Sequence, residues 1–189
     1  MSESSTADKT AHALGILRDA DRLYTQAQVN QAYDRLAEEI TARLKGQNPL
    51  VLCVMIGGMV PAVEILRRMD FPHEVDYLHA TRYRGETSGR EILWKVSPSA
   101  TLTGRVVLVI DDILDEGHTL AAIQKAIRAQ EIKALYTAVL VEKLHDRRAP
   151  DVNADFIGLQ VPDRYVFGGG MDYKNHLRFA PGIYAVKRM

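Results

Sequence analysis

The chain has 189 residues, 47% hydrophobic and 25% charged, and its 24 Lys and Arg are balanced by 24 Asp and Glu. That length suits one domain with a substantial core, and zero net charge disfavours a partner held by general phosphate neutralisation, nucleic acid above all. The single cysteine, Cys53, excludes an internal disulfide and a four-cysteine zinc site.

Cys53 lies in an apolar run and reads as a small buried hydrophobe. No uninterrupted apolar run approaches the roughly 18 residues of a membrane span. The polar stretch Met1 to Thr10 lacks an apolar signal core, and its Ser/Thr-rich start is expected to fray. Together these point to a reducing, cytoplasmic setting with no membrane association.

The first clear element is a helix. Thr25 and Gln28 read as a capping box, and Val29, Tyr33, Leu36, Ile40 and Leu44 form one apolar stripe that Gly46 and Pro49 end. Leu50 to Ile56, Val106 to Ile110 and Ala134 to Val141 read as buried strands. Gly57-Gly58 leads into a helical pattern over Pro61 to Met69, and Asp111 to Gly117 into another over Thr119 to Ala129. Glu74 to His79 and Ala154 to Leu159 add two further strands. The alternation predicts an α/β fold with a mostly parallel sheet flanked by helices. Thr81 to Arg90 and Val161 to Pro181 lack periodicity and read as long irregular segments, which in compact domains often serve as lids. Trp94 and the histidines outside the acidic turn carry no motif and default to packing.

The most informative stretch runs from Val107 to Leu120. A hydrophobic strand ends in two adjacent carboxylates, Asp111 and Asp112, and a short turn places Gly117 and Thr119 at the start of a helix. In open α/β sheets ligands sit at the carboxyl ends of strands, and a helix N-terminus offers unpaired N–H groups and a favourable dipole to phosphate. Two neighbouring carboxylates are costly unless a cation or donor meets them, so a divalent ion or sugar hydroxyls are the natural complement.

This stretch resembles the phosphoribosyl-pyrophosphate (PRPP) signature of type I phosphoribosyltransferases. Further segments match in order and narrow the resemblance to the hypoxanthine-guanine phosphoribosyltransferases over roughly Leu50 to Tyr184. Cys53 to Gly58 is similar to that family's pyrophosphate loop, Leu140 to Lys143 to its purine-contacting strand end, and Val161 to Tyr173 with Arg178 to its hood. The resemblance implies a type I fold on a single domain over 1–189, its core spanning about 45–160. A small hood would come from the N-terminal segment and residues 161–189.

The implied reaction moves the phosphoribosyl group of PRPP to hypoxanthine or guanine with Mg²⁺, in a homodimer or homotetramer. Asp111 and Asp112 would meet ribose and metal, and Asp172 the metal's water shell and the purine 2-position. Asp115 would sit beside the purine imidazole nitrogen. Glu116, Gly117, His118 and Thr119 would cradle the 5′-phosphate, although Glu116 stands where the family has Thr or Ser. Ile56, Gly57, Gly58, Arg82 and Arg178 would hold pyrophosphate, with a cis peptide between Met55 and Ile56. Lys143 would donate to the purine 6-oxygen, Tyr165 would stack on the base, and Val166 would offer backbone groups to its edge. Asp115, Lys143 and Arg178 form the implied catalytic set, Arg82 and Tyr83 the lid signature, and Arg84 and Arg164 further cations. The run Gly168-Gly169-Gly170 exceeds the family's usual glycine content and is expected to loosen the hood. A catalytically silent regulator on the same fold, or a transferase for xanthine or another base, are the alternatives.

Overall fold

The computed structural model describes residues 6–82 and 92–187. Six strands form the main sheet in the order β4-β3-β2-β5-β6-β7: β2 (Leu50–Val54), β3 (Glu74–Arg82), β4 (Ile92–Val96), β5 (Val106–Leu114), β6 (Ala134–Leu144) and β7 (Phe156–Pro162). All neighbours are parallel except β3 and β4. The expected mostly parallel α/β sheet is therefore present, and its boundaries differ in an informative way. β2 is shorter than expected, ending at Val54, whereas β5 runs past Ile110 through the acidic pair to Leu114.

Strand alternation explains how the core divides. Val51, Cys53, Leu108 and Ile110 point to one face, where helix α2 (Gln26–Leu44) and helix α3 (Met59–Leu66) cover them. Leu52, Val54, Val107 and Val109 point to the other, against Leu120, Ile123 and Ile127 of helix α4 (His118–Arg128). The stripe Val29, Tyr33, Leu36, Ile40 and Leu44 is fully buried, each such side chain stabilising the fold by about 1.5–3 kcal/mol. The Thr25–Gln28 capping box is formed reciprocally. Cys53 is buried, and burial with the nearby Asp111 and Asp112 charges pushes its thiol up to about 11, which makes it a poor nucleophile. Trp94 packs against the second core layer.

A second, three-stranded sheet stands at the carboxyl end of the first, in the order β1-β9-β8: β1 (Asp21–Thr25), β8 (Val166–Phe167) and β9 (Gly182–Ala185). Helix α1 (Thr6–Asp19) covers it through Ile16 and Leu17, against Phe167 and Tyr173. Helix α1 thus takes in Thr6 to Thr10 of the polar N-terminal stretch, while the Ser/Thr-rich start of that stretch, expected to fray, lies outside the described residues. Arg164 donates to Asp21 at 2.7 Å and to the Val186 carbonyl at 2.9 Å, so it ties the small sheet together and is not a cation for substrate.

The expectation that Gly168-Gly169-Gly170 loosens this region is wrong. All three have positive φ (92°, 59° and 113°). A side chain at Gly168 would meet the Gly182 and Ala180 carbonyls, and one at Gly170 would meet the Gly57 carbonyl and Asp112. Glycine here is what lets the small sheet press onto the main one.

Gly168→Ala should therefore destabilise the fold by about 1–3 kcal/mol. Gly15→Ala, in open space on α1, should stabilise by up to about 1 kcal/mol. Urea denaturation of both variants checks the pair, and equal midpoints would contradict the packing described.

Candidate active site

β2 and β5 are neighbours, yet the helices that follow them leave on opposite faces: α3 joins α2, while α4 packs on the far side. The chain parts between the two strand ends, as it does wherever an open α/β sheet binds a ligand. A cleft of about 540 Å³ opens there. β2 stops pairing with β5 at Cys53–Ile110, while β5 continues beside β6 as far as Leu114–Glu142. Beyond Ile110 one edge of β5 is thus bare, and Asp111 and Asp112 line the cleft.

Burial and repulsion from Asp112 hold Asp111 well above the ordinary carboxylate pKa. Burial also raises Asp112, against the lowering effects of its hydrogen bond with Asp111 and the charge of Arg178. The Asp112 side chain is 14% exposed, and its closest cation among the described residues is the Arg178 guanidinium at 3.9 Å. Arg178 spends most of its hydrogen bonding elsewhere. It donates to Asp172 at 2.7 Å and to the Gly170 carbonyl, and Asp172 also accepts the Asn175 N–H at 2.7 Å.

Opposite the acids lies the loop after β2. Its Met55–Ile56 peptide is cis, as the resemblance implied. Gly57 follows because the Asp112 carboxylate occupies the space a β-carbon would need. On the other side, Gly117 (φ 78°) opens α4, which has no side-chain cap, so its first turn presents N–H groups where Gly117, His118 and Thr119 line the cleft. The Glu116 carboxylate lies 3.7 Å from both the His118 ring and the Arg147 guanidinium, so its charge is balanced locally.

Asp115 is held by two donors, Lys143 Nζ at 2.6 Å and His145 Nε2 at 2.7 Å, one on each oxygen. Burial would raise its pKa, but these bonds and charges outweigh burial and hold the carboxylate below its ordinary range.

Not every expected residue reaches the cleft wall. Lys143 approaches it through Asp115, and Val166 is buried, paired with Ala185. Tyr165 is 53% exposed and stands edge-on to Tyr173 off the wall. Arg82 ends β3, while Tyr83, Arg84 and nearly all of the expected lid lie outside the described residues. Conversely His79, Lys95 and Asn175 line the cleft and His145 grips Asp115, so packing was the wrong default for two histidines. Burial, with the Lys95 charge, holds His79 below its ordinary pKa. None of these residues carries a local signal, because β3, β4 and the end of β6 are brought to the cleft only by sheet order.

A mostly parallel sheet whose central strand carries an acidic pair near its carboxyl end, between a glycine loop and a helix N-terminus, defines the type I phosphoribosyltransferase class. Residues 19–176 match the family profile described as the phosphoribosyl transferase domain. The chain is 30% identical to a hypoxanthine-guanine-xanthine phosphoribosyltransferase of Tritrichomonas foetus over 91% of this chain and 94% of that one. It is 29% identical to the hypoxanthine-guanine phosphoribosyltransferase of Bacillus subtilis, over 87% and 92% of the two chains. Among solved structures, a hypoxanthine phosphoribosyltransferase from Staphylococcus aureus shares the fold with a TM-score of 0.85, covering 92% of this chain and 95% of that one at 24% identity. The chain belongs to the hypoxanthine-guanine phosphoribosyltransferase family and is a transferase.

The raised pKa of Asp111 has a thermodynamic consequence. A carboxyl whose folded pKa lies above its unfolded value destabilises the fold once pH exceeds the unfolded value, about 3.9, because the buried charge is then enforced. Asp111→Asn should therefore raise the melting temperature of the ligand-free protein at pH 7. The gain should vanish near pH 3.5, where both chains are neutral at this position. Scanning calorimetry at the two pH values checks it, and a lower melting temperature at pH 7 would contradict it.

Proposed function

We propose that this enzyme serves purine salvage, transferring the 5-phosphoribosyl group of PRPP to hypoxanthine or guanine and releasing pyrophosphate with IMP or GMP. The observation that carries this reading is the pairing of Asp115 with Lys143 beside the acidic end of β5. It sets an acceptor for an imidazole N–H next to a donor for a 6-oxo group, within reach of a sugar-and-phosphate cleft. The names of the relatives from T. foetus and B. subtilis support the same substrates.

The transition state of such a transfer carries positive charge on the ribose and negative charge on the leaving pyrophosphate, so fixed charges and dipoles supply most of the rate. Asp111 and Asp112 would accept the ribose hydroxyls. The backbone from Glu116 to Thr119 would cradle the 5′-phosphate at the start of α4, and Ile56, Gly57 and Gly58 would receive pyrophosphate with Arg178 and Arg82. Arg178 is suited to this because Asp172 holds its fork from behind. Lys143 is buried and ion-paired, so on base binding it exchanges one oxygen for another and stays satisfied. Its donor favours 6-oxopurines over adenine, whose amino group offers no acceptor. Tyr165, exposed beside this strand end, would stack on the base, and Val166 would meet its edge.

Two largely buried carboxylates with raised pKa and, among the described residues, one cation at 3.9 Å fit a hard, oxygen-preferring ion, and Asp111 and Asp112 would hold Mg²⁺. Both Asp172 oxygens already accept hydrogen bonds, which suits it to the ion's water shell. Mg²⁺ held there with PRPP would supply positive charge to the departing pyrophosphate. Among the described residues no helix is long and apolar enough to cross a membrane. A cytoplasmic homodimer or homotetramer is the setting that agrees with the family.

A spectrophotometric panel of hypoxanthine, guanine, xanthine, adenine and uracil with PRPP and Mg²⁺ tests the reading. Turnover should be confined to the 6-oxopurines, and Asp115→Asn should lower kcat/KM for hypoxanthine by about 100-fold or more. Absence of transfer to every 6-oxopurine would overturn the assignment.

A further inference from the structure

His145 stands just beyond β6, with its side chain 3% exposed, against the carboxylate that is expected to face the purine. Its two ring nitrogens have different partners. Nε2 lies 2.7 Å from Asp115 Oδ1, and Nδ1 lies 3.1 Å from the Arg147 backbone nitrogen. The backbone N–H can only donate, so Nδ1 is the acceptor and carries no proton in this arrangement. The ring hydrogen is then on Nε2 and is donated to Asp115. A backbone amide thus fixes the tautomer, and a neutral ring satisfies both contacts.

The charged groups facing this ring are Asp115 from the turn after β5, Lys143 from β6 and Asp163 from the segment after β7. Asp163, Asp115 and His145 present ligand-type atoms within 4.8 Å of one another. Their charge is already met: Lys143 reaches Asp115 at 2.6 Å, and Arg147 reaches Asp163 at 2.8 and 3.0 Å. The cluster is thus a set of ion pairs and one hydrogen bond from a neutral ring, centred on Asp115.

The two donors on Asp115 differ in what substrate does to them. If Lys143 turns to the 6-oxygen of a bound purine, its bond to Asp115 Oδ2 is given up or shared. The His145 bond to Oδ1 has no such competitor, since the ring is buried and its other nitrogen is tied to the backbone. We propose that His145 is a positioning residue which, as a neutral donor of fixed tautomer, holds the plane of the Asp115 carboxylate while Lys143 is drawn to the base. Oδ2 is thereby kept aimed at the imidazole N–H. A neutral donor also leaves Asp115 more basic than a second cation would, which suits an acceptor of that proton. The proposal rests on the transferase reading above.

Two kinds of measurement test it. In steady-state assays His145→Phe, which keeps a ring and loses the donor, should lower kcat/KM for hypoxanthine by about 10- to 100-fold with the KM for PRPP unchanged. His145→Gln, whose amide can reach the same oxygen, should recover most of the loss. Unaltered kcat/KM for hypoxanthine in His145→Phe, or an equal loss expressed through PRPP, would overturn the positioning role. Independently, imidazole ¹⁵N NMR of the wild-type protein, with His145 assigned by its disappearance in His145→Gln, should show a protonated Nε2 and a bare Nδ1. The Nε2 signal should move in Asp115→Asn. A protonated Nδ1, or no response to Asp115→Asn, would overturn it. The NMR arm needs neither turnover nor a folded Phe variant. A wild-type protein inactive on every base would therefore refute the transferase reading and still leave the His145–Asp115 bond decided on its own terms.

Discussion

Much of this molecule is arranged around two carboxylates that the fold places in an unfavourable spot. Asp111 and Asp112 extend the central strand one step beyond the reach of its β2 neighbour, where burial and mutual repulsion oppose their ionisation. Opposite them a glycine is required, because the Asp112 carboxylate fills the space of a side chain at Gly57. The small sheet responds in the same way. Gly170 presses against the Gly57 carbonyl and Asp112, and Arg178 brings the one cation that the described residues place near the pair while bound chiefly to Asp172 and Gly170. Among the described residues the pair is met by that guanidinium alone, and a cation arriving with substrate would supply the charge that is missing. Stability is given up locally for that readiness, as is usual at functional sites.

The second organising element is the parting of α3 and α4 to opposite faces of adjacent strands. It creates the cleft and determines which strand ends look into it. The start of α4, the loop at Gly57 and the acids then line one cleft, and the cluster of Asp115, Lys143, His145, Arg147 and Asp163 stands at its β6–β7 side. Sugar, phosphates and base can thus be met by different elements, each rigidly attached to the sheet.

How much of this could be read from sequence depended on whether the signal was local. The α2 stripe, its capping box, the three buried strands and the Val107 to Leu120 turn are contiguous patterns, and all are present close to where they were expected. The acidic pair sits on continuing strand and not in a turn, because Ile113 and Leu114 still pair with β6, a constraint no local pattern carries. The small sheet was invisible as strands for the same reason: β1 pairs with β9 across the length of the chain, Asp21 with Ala185. Arg164 looked like a ligand for substrate until its partner proved to be Asp21, 143 residues away in sequence. His79, Lys95 and His145 belong to strands or strand ends whose place at the cleft follows only from sheet order. The glycine run misled because glycine signals freedom in a chain read alone and close approach in a packed one.

On this view Asp111 and Asp112 would complete their site only with a metal-bound phosphoribosyl donor. Calorimetric titration of PRPP into the wild-type protein and into Asp112→Asn, each with and without Mg²⁺, tests it most directly. Mg²⁺ should tighten PRPP binding to the wild type by at least about tenfold, or about 1.4 kcal/mol, and Asp112→Asn should abolish most of that gain. Equal Mg²⁺ dependence in the two proteins would contradict it.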